Sequence, residues 1–167
     1  MNLVIRQATV EDATKIASFN VALARETEER TLNRRTVVAG VRTLLAEPKH
    51  GFYVVADNGK KVVGMAMITF EWSDWLNRQW WWLQSVYVDP KMRQQGIFGR
   101  IYEYIEEMAA RQENVCGIRL YVEKENKAGL RTYRSLGLAP RSYRVMESPL
   151  LEQNAPAKKS VRRSRKA

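Results

Sequence analysis

The spacing of apolar positions changes several times along the chain, and each change marks an element. Residues Leu3 to Ala8 alternate apolar and polar side chains as a short strand does. Thr9 followed three residues later by Asp12 reads as a helix N-cap with an acidic first turn. The helix it opens is predicted over 10–28, with Ile16, Phe19 and Leu23 at helical spacing. A second helix is predicted over 34–46, where Val37, Val38, Val41, Leu44 and Leu45 form one stripe, and Pro48 and Gly51 close it. Strands are predicted over 52–56 and 62–70, joined by Asn58-Gly59, a strong hairpin signal. After a loop with Trp72, Asp74 and Trp75 comes a third run, 80–88, stopped by Asp89-Pro90. From Phe98 the period lengthens to that of a helix, with Phe98, Ile101, Ile105 and Met108 on one face as far as about Gln112. A strand over 118–122, a helix over 127–136 ended by Gly137, and a last strand over 143–147 complete the pattern.

The order is β-α-α-β-β-β-α-β-α-β, which predicts a mixed sheet with helices on its faces. Composition changes this picture little: 167 residues with 45% hydrophobic and 28% charged positions suit one globular domain, expected over 1–151. Cys116 is the single cysteine, so no intramolecular disulfide can form, and a reducing cytoplasm is the expected location. No apolar run is long enough to cross a membrane, and the start MNLVIRQATVED meets acids before a signal core could develop. Lone His50 belongs to no ligand set, so no metal is expected.

Charge adds one feature. Half of the formal excess of +10 sits in residues 152–167, where Lys158, Lys159, Arg162, Arg163, Arg165 and Lys166 face only Glu152. With Val161 as its one large aliphatic residue after Glu152, that segment is expected to be a disordered basic arm. Its two readings are an electrostatic tether to nucleic acid or another acidic surface, and a solubilising tail; the second is preferred.

The chemistry concentrates in 86–100. Val86, Tyr87 and Val88 end a strand, and a turn follows with Arg93, Gln94, Gln95 and Gly96; Ile97, Phe98, Gly99 and Arg100 then open an amphipathic helix. The first turn of a helix has unpaired N–H donors and about half a positive charge, so it favours an anion such as phosphate. Gly96 allows close backbone approach, and Arg93 and Arg100 add charge.

In this order of elements, and in Arg93-Gln94-Gln95-Gly96-Ile97, the chain resembles the GNAT superfamily of N-acetyltransferases. That family holds the pyrophosphate of acetyl-CoA with an Arg/Gln-x-x-Gly-x-Gly/Ala segment. Phe98 departs from the pattern, standing where Gly or Ala is usual, and its helical spacing with Ile101 and Ile105 turns it inward. The segment Asn126 to Leu138 looks like the family's last helix. Over residues 3–147 the resemblance implies a central, mostly antiparallel sheet of six to seven strands flanked by about four helices.

It also implies roles. Acetyl-CoA is the co-substrate and a small amine the acceptor, which attacks the thioester directly. Backbone groups of Val86 and Val88 pair with the pantetheine arm and polarise the carbonyl; Asn126 meets the arm, and Tyr133 protonates the leaving thiolate. Glu71 and Asp74, past the end of a central strand, are the candidate bases. Glu28, Trp72 and Trp75 are the candidate acceptor contacts, since acids and aromatics together suit a cationic amine. The tryptophan cluster is also a candidate homodimer contact. The alternatives are a catalytically silent acyl-CoA-binding regulatory domain and a nucleic-acid adaptor acting through the basic arm.

Overall fold

The computed structural model describes residues 2–148, and the basic arm expected over 152–167 lies outside them. Nine regular elements follow in the expected order: β1 Val4–Gln7, α1 Ala13–Glu28, α2 Arg34–Ala46, β2 Phe52–Asp57, β3 Val62–Ser73, β4 Arg78–Val88, α3 Ile97–Ala110, β5 Val115–Leu120 and α4 Lys127–Ser135. They build one sheet in the order β1-β2-β3-β4-β5, antiparallel from β1 to β4, with β5 parallel to β4. The sheet is therefore mixed and mostly antiparallel, with five strands among the described residues rather than six to seven.

The missing strand is the one expected over 143–147, which forms no regular structure. Tyr143, Val145 and Met146 are 85%, 61% and 92% exposed. Their alternation offers no face that another layer covers, and alternation without a buried side does not hold a strand.

Two layers cover the sheet. On one face Ile97, Ile101 and Ile105 of α3 pack against Val63, Ala66, Ile68, Trp81 and Leu83. On the other, Ile16, Ala17 and Phe19 of α1 and Val41 of α2 meet Tyr53, Val55, Met65 and Tyr87. Each fully buried isoleucine contributes about 2–3 kcal/mol. Three of them on α3 outweigh the roughly 1 kcal/mol that Gly99 costs inside that helix.

The run of tryptophans divides as a strand requires. Trp81 is buried in the α3 layer, while Trp80 and Trp82 lie on the opposite face of β4. Trp82 stacks on Tyr121 with ring centroids 4.3 Å apart, and the Arg119 guanidinium carbon sits 3.9 Å from the Trp80 centroid. Trp80 also covers β5 at Gly117, whose φ is +154°; a Cβ there would stand 2.6 Å from the Trp80 ring.

One ion cluster pins the first elements together. Arg6 on β1 donates to Asp12 at 2.7 Å and to Asp57 on β2 at 3.0 Å, while Asp12 also accepts the Thr9 N–H at 2.8 Å. This is the expected capping pair, but residues 10–12 form a tight 3-10 turn, so α1 begins at Ala13 rather than at Val10. Burial alone would raise the Asp12 carboxyl; the Arg6 guanidinium and the Thr9 N–H outweigh it and hold the pKa below the usual range. A depressed carboxylate stabilises the fold above its unfolded pKa of about 3.9 and loses that contribution as pH falls through its native value. Asp12→Asn is expected to lower the unfolding free energy at pH 7 by about 1–3 kcal/mol, with the difference from the parent shrinking below about pH 3. Urea titrations at both pH values would measure this, and a difference that does not depend on pH would refute it.

Candidate active site

The site begins where β4 leaves β5. Their parallel pairing runs from Gln79↔Val115 to Leu83↔Leu120, but β4 continues to Val88. Five residues at about 3.3 Å each leave some 16 Å of β4 edge with no neighbouring strand on that side among the described residues. At the same point β4 bulges: Met67 faces Gln84 and Met65 faces Tyr87, so Ser85 and Val86 share Ala66 as their opposite residue. Ser85 adopts the left-handed conformation, φ +49°. A bulge bends its strand and sharpens the local twist, which carries the end of β4 away from β5.

The orientation of the exposed backbone follows from one hydrogen bond. Asp89 N–H donates to Val63 O on β3 at 2.9 Å. The Val88 carbonyl shares that planar peptide and points the opposite way, into the gap. By the two-residue period, the N–H group of Val88 faces the gap as well, while that of Tyr87 faces β3.

Beyond β4, the Asp89 side chain caps a short turn over Pro90–Met92 by accepting the Lys91 N–H at 3.1 Å. Gln94 and Gly96 are both left-handed, φ +63° and +70°, and reverse the chain into α3. The first backbone bond of α3 runs from Arg100 N to Gly96 O at 3.2 Å, so the N–H groups of Ile97, Phe98 and Gly99 precede it. A Cβ built on Gly96 or Gly99 would meet no atom within 4 Å. Open space thus lies over a helix N-terminus with unpaired donors, a cradle that suits a phosphate.

The other predicted residues of this segment divide. Ile97 is buried and offers only its N–H. Phe98 turns inward: its ring meets Tyr133 edge-on at 5.7 Å and Tyr102 at 6.3 Å. Gln94 and Gln95 are exposed. Arg100 turns away, donating to Leu3 O at 2.8 Å, and leaves Arg93 as the arginine of the turn. Asn126 caps α4 by accepting the Gly129 N–H at 2.8 Å, which commits its carbonyl oxygen. Tyr133 is half-buried against Phe98, and burial raises its phenol above the ordinary value. A phenol is protonated at neutral pH with or without this shift, so burial does not by itself make Tyr133 a proton donor.

On the opposite face of the sheet, between α1, α2 and the bulge, lies an open, cleft-like cavity of about 410 Å³. Leu23, Val37, Val41, Leu44 and Met67 wall it. Its polar end carries Asn20, Tyr53 and Ser85, with Asn20 Nδ2 donating to the Tyr53 hydroxyl at 3.1 Å. Glu28 and Arg30, paired at 3.3 Å and both substantially exposed, line it as well. Beside it, Glu26 accepts from the Tyr87 hydroxyl and from Arg93, each at 2.6 Å.

The expected bases and two of the expected acceptor contacts stand elsewhere. Glu71 pairs across the sheet with Trp80, five residues of β4 and about 16 Å from Ser85. It is occupied by Arg119 at 2.9 Å and by the Trp82 indole N–H. Asp74 lies further out in the β3–β4 turn, bonded to the Trp75 N–H. Trp72 and Trp75 are 61% and 91% exposed at that end of the hairpin. Glu28 alone of the expected acceptor contacts lines the cavity. Sequence reasoning missed Asn20, Tyr53, Ser85 and the Glu26 bridge, since they meet only through pairings such as Tyr87 with Glu26, 61 residues apart.

No helix among the described residues is long and apolar enough to cross a membrane. Residues 14–138 match the model of the acetyltransferase (GNAT) family. A possible acetyltransferase from Clostridium difficile 630 is 41% identical, and its crystal structure superposes with a TM-score of 0.83 over 90% of this chain and 99% of that one. A predicted acetyltransferase from Clostridium acetobutylicum, solved with acetyl-CoA, shares the fold at 17% identity, TM-score 0.73, over 89% of this chain and 96% of its own. Thialysine N-epsilon-acetyltransferase of Bos taurus is 34% identical over 79 residues, which is 47% of this chain. The aligned stretch spans 45% of that relative's length.

Proposed function

This chain belongs to the GNAT family of acetyltransferases, and from that premise we propose that it moves an acetyl group from acetyl-CoA to the terminal primary amine of a small acceptor bearing an amino-acid head. The observation that carries the reading is the coincidence, at Ser85, of the bulge, the parting of β4 from β5 and the end of the cavity. A donor laid along the gap and an acceptor in the cavity would meet there from opposite faces of the sheet. That arrangement brings the reacting atoms together before chemistry begins.

Bound acetyl-CoA supplies an activated acetyl thioester. The chain's own groups do the rest. The N–H groups opening α3 hold the diphosphate with Arg93, and Gly96 leaves room for it. Backbone groups of Val86 and Val88 along the gap orient the pantetheine arm, and an N–H there polarises the thioester carbonyl. Tyr133, a phenol protonated at neutral pH, donates to the departing sulfur. Glu71 and Asp74 are too far along the hairpin to serve as bases. Among the described residues lining the cavity Glu28 is the one carboxylate, and it is exposed. The amine therefore loses its proton to water before attacking.

The acceptor class rests on the cavity and on the name of the Bos taurus relative. Aliphatic walls suit a flexible carbon chain, Glu28 complements an ammonium, and Arg30 complements a carboxylate. A catalytically silent acyl-CoA binder would have no use for an acceptor cavity beside the parting of the strands.

Three outcomes are expected. Acetyl-CoA raises the melting temperature of the parent protein, and Gly96→Asp, which sets a carboxylate in the cradle, removes most of the shift; a retained shift would exclude the loop as the phosphate site. Tyr133→Phe lowers kcat by on the order of 100-fold with little change in the KM for acetyl-CoA, measured by thiol release; an unchanged kcat would remove Tyr133 from the mechanism. In the same assay, lysine-like ω-amino acids outperform alkyl diamines of equal length. Arg30→Ala raises KM several-fold for the former only, and equal effects on both would reject the amino-acid head.

A further inference from the structure

Glu26, in the last turns of α1, joins two residues that arrive from distant parts of the chain. The Tyr87 hydroxyl donates to one carboxylate oxygen at 2.6 Å, and Arg93 Nη2 donates to the other at 2.6 Å. Arg93 is held at two further points: its Nε donates to Val88 O at 3.0 Å, and its guanidinium carbon lies 5.3 Å from the centre of the Tyr87 ring. A carboxylate, a carbonyl and a ring thus anchor the guanidinium, and Nη1 is the nitrogen that none of them uses. Because the Val88 carbonyl faces the gap between β4 and β5, these contacts hold the arginine at the mouth of that gap, beside the turn that opens α3.

The protons of this set are fixed. The Tyr87 and Arg93 hydrogen bonds keep the Glu26 carboxyl below its ordinary range, and burial together with the Glu26 acceptor pushes Tyr87 up to about 12. Near neutrality the group therefore has one arrangement: carboxylate, phenol and guanidinium.

We propose that Glu26 is the positioning residue for Arg93, holding its guanidinium where the cofactor's diphosphate arrives. The inference rests on the cofactor reading above. A free arginine loses much rotamer freedom when it is immobilised on a ligand. Here folding has already carried that loss, so binding does not. Opposing this is the repulsion between Glu26 and a phosphate; exposure of the Arg93 and Glu26 side chains, 45% and 38%, screens that repulsion and the ion pair alike, whereas the short hydrogen bonds and the Tyr87 ring still fix the guanidinium in place. Preorganisation wins, and loss of Glu26 weakens cofactor binding. The same stretch of α1 lends Leu23, Ala24 and Glu28 to the acceptor cavity, so one helix end serves both ligands.

The test is a double-mutant cycle on the full chain, read by calorimetry with CoA and by steady-state kinetics. Glu26→Ala is expected to raise the KM for acetyl-CoA and the Kd for CoA about ten-fold with kcat changed less than about two-fold. Arg93→Ala should do the same, and the double variant should be no worse than Arg93→Ala alone. Glu26→Gln, which keeps the shape and one acceptor oxygen, should recover part of the loss, and it stands in for the alanine variant should that fail to fold. Unchanged or tighter CoA binding without Glu26, or losses that multiply in the double variant, would overturn the proposal while leaving the cofactor reading intact. A parent protein that binds no CoA derivative would overturn both.

Discussion

A parallel strand pair that stops pairing halfway is the constraint around which this molecule is arranged. Backbone N–H and C=O groups are obligatory hydrogen-bonding groups, and leaving them without partners in a dry interior is costly. Along β4 that cost is avoided by keeping the parted edge open rather than buried, with the Val88 carbonyl satisfied by Arg93. The bulge at Ser85 makes the parting possible without breaking the ladder to β3, which resumes at Tyr87. Helices α1 and α3 clamp the sheet from both faces on either side of this point, so the opening is held by the two cores rather than by a loop.

The consequence is a division of labour between the faces. The α3 side carries the helix N-terminus, with Phe98 against Tyr133 of α4; the α1 and α2 side carries an aliphatic cavity with few polar groups. Such a cavity with a small number of placed polar side chains is the usual form of a small-molecule site. The tryptophans serve the sheet more than the site: Trp81 fills the core, Trp82 stacks on Tyr121, and Trp80 carries Arg119. Glu71 belongs to this aromatic set through Arg119 and the Trp82 indole, and its loop-end place in the chain gave no hint of that.

Much of this was legible where a local rule decides structure. The stripe on α2 predicted its bounds, Asn58-Gly59 marked the hairpin, and the Arg93–Gly96 turn before an amphipathic helix identified the phosphate cradle as a candidate. What local rules do not encode was missed. Ser85 takes a left-handed conformation without being glycine, so nothing in its neighbourhood announced a bulge. Glu26 is one of several acids ending α1 and is distinguished only by Tyr87 and Arg93, both more than 60 residues away. The alternation over 143–147 predicts a strand that does not form, because period-two patterning carries no information on whether another layer exists to bury one side.

Gly117 shows how such an arrangement limits the ways the protein can vary. The Trp80 ring occupies the place where any side chain at 117 would project, and the same ring carries the Arg119 guanidinium. Positions 80 and 117 therefore drift as a unit: a larger residue at 117 is tolerated only once the indole at 80 has been replaced, and replacing the indole removes the platform under Arg119 and so loosens its hold on Glu71. Relatives that carry a side chain at 117 should lack a large ring opposite and have a different backbone conformation there.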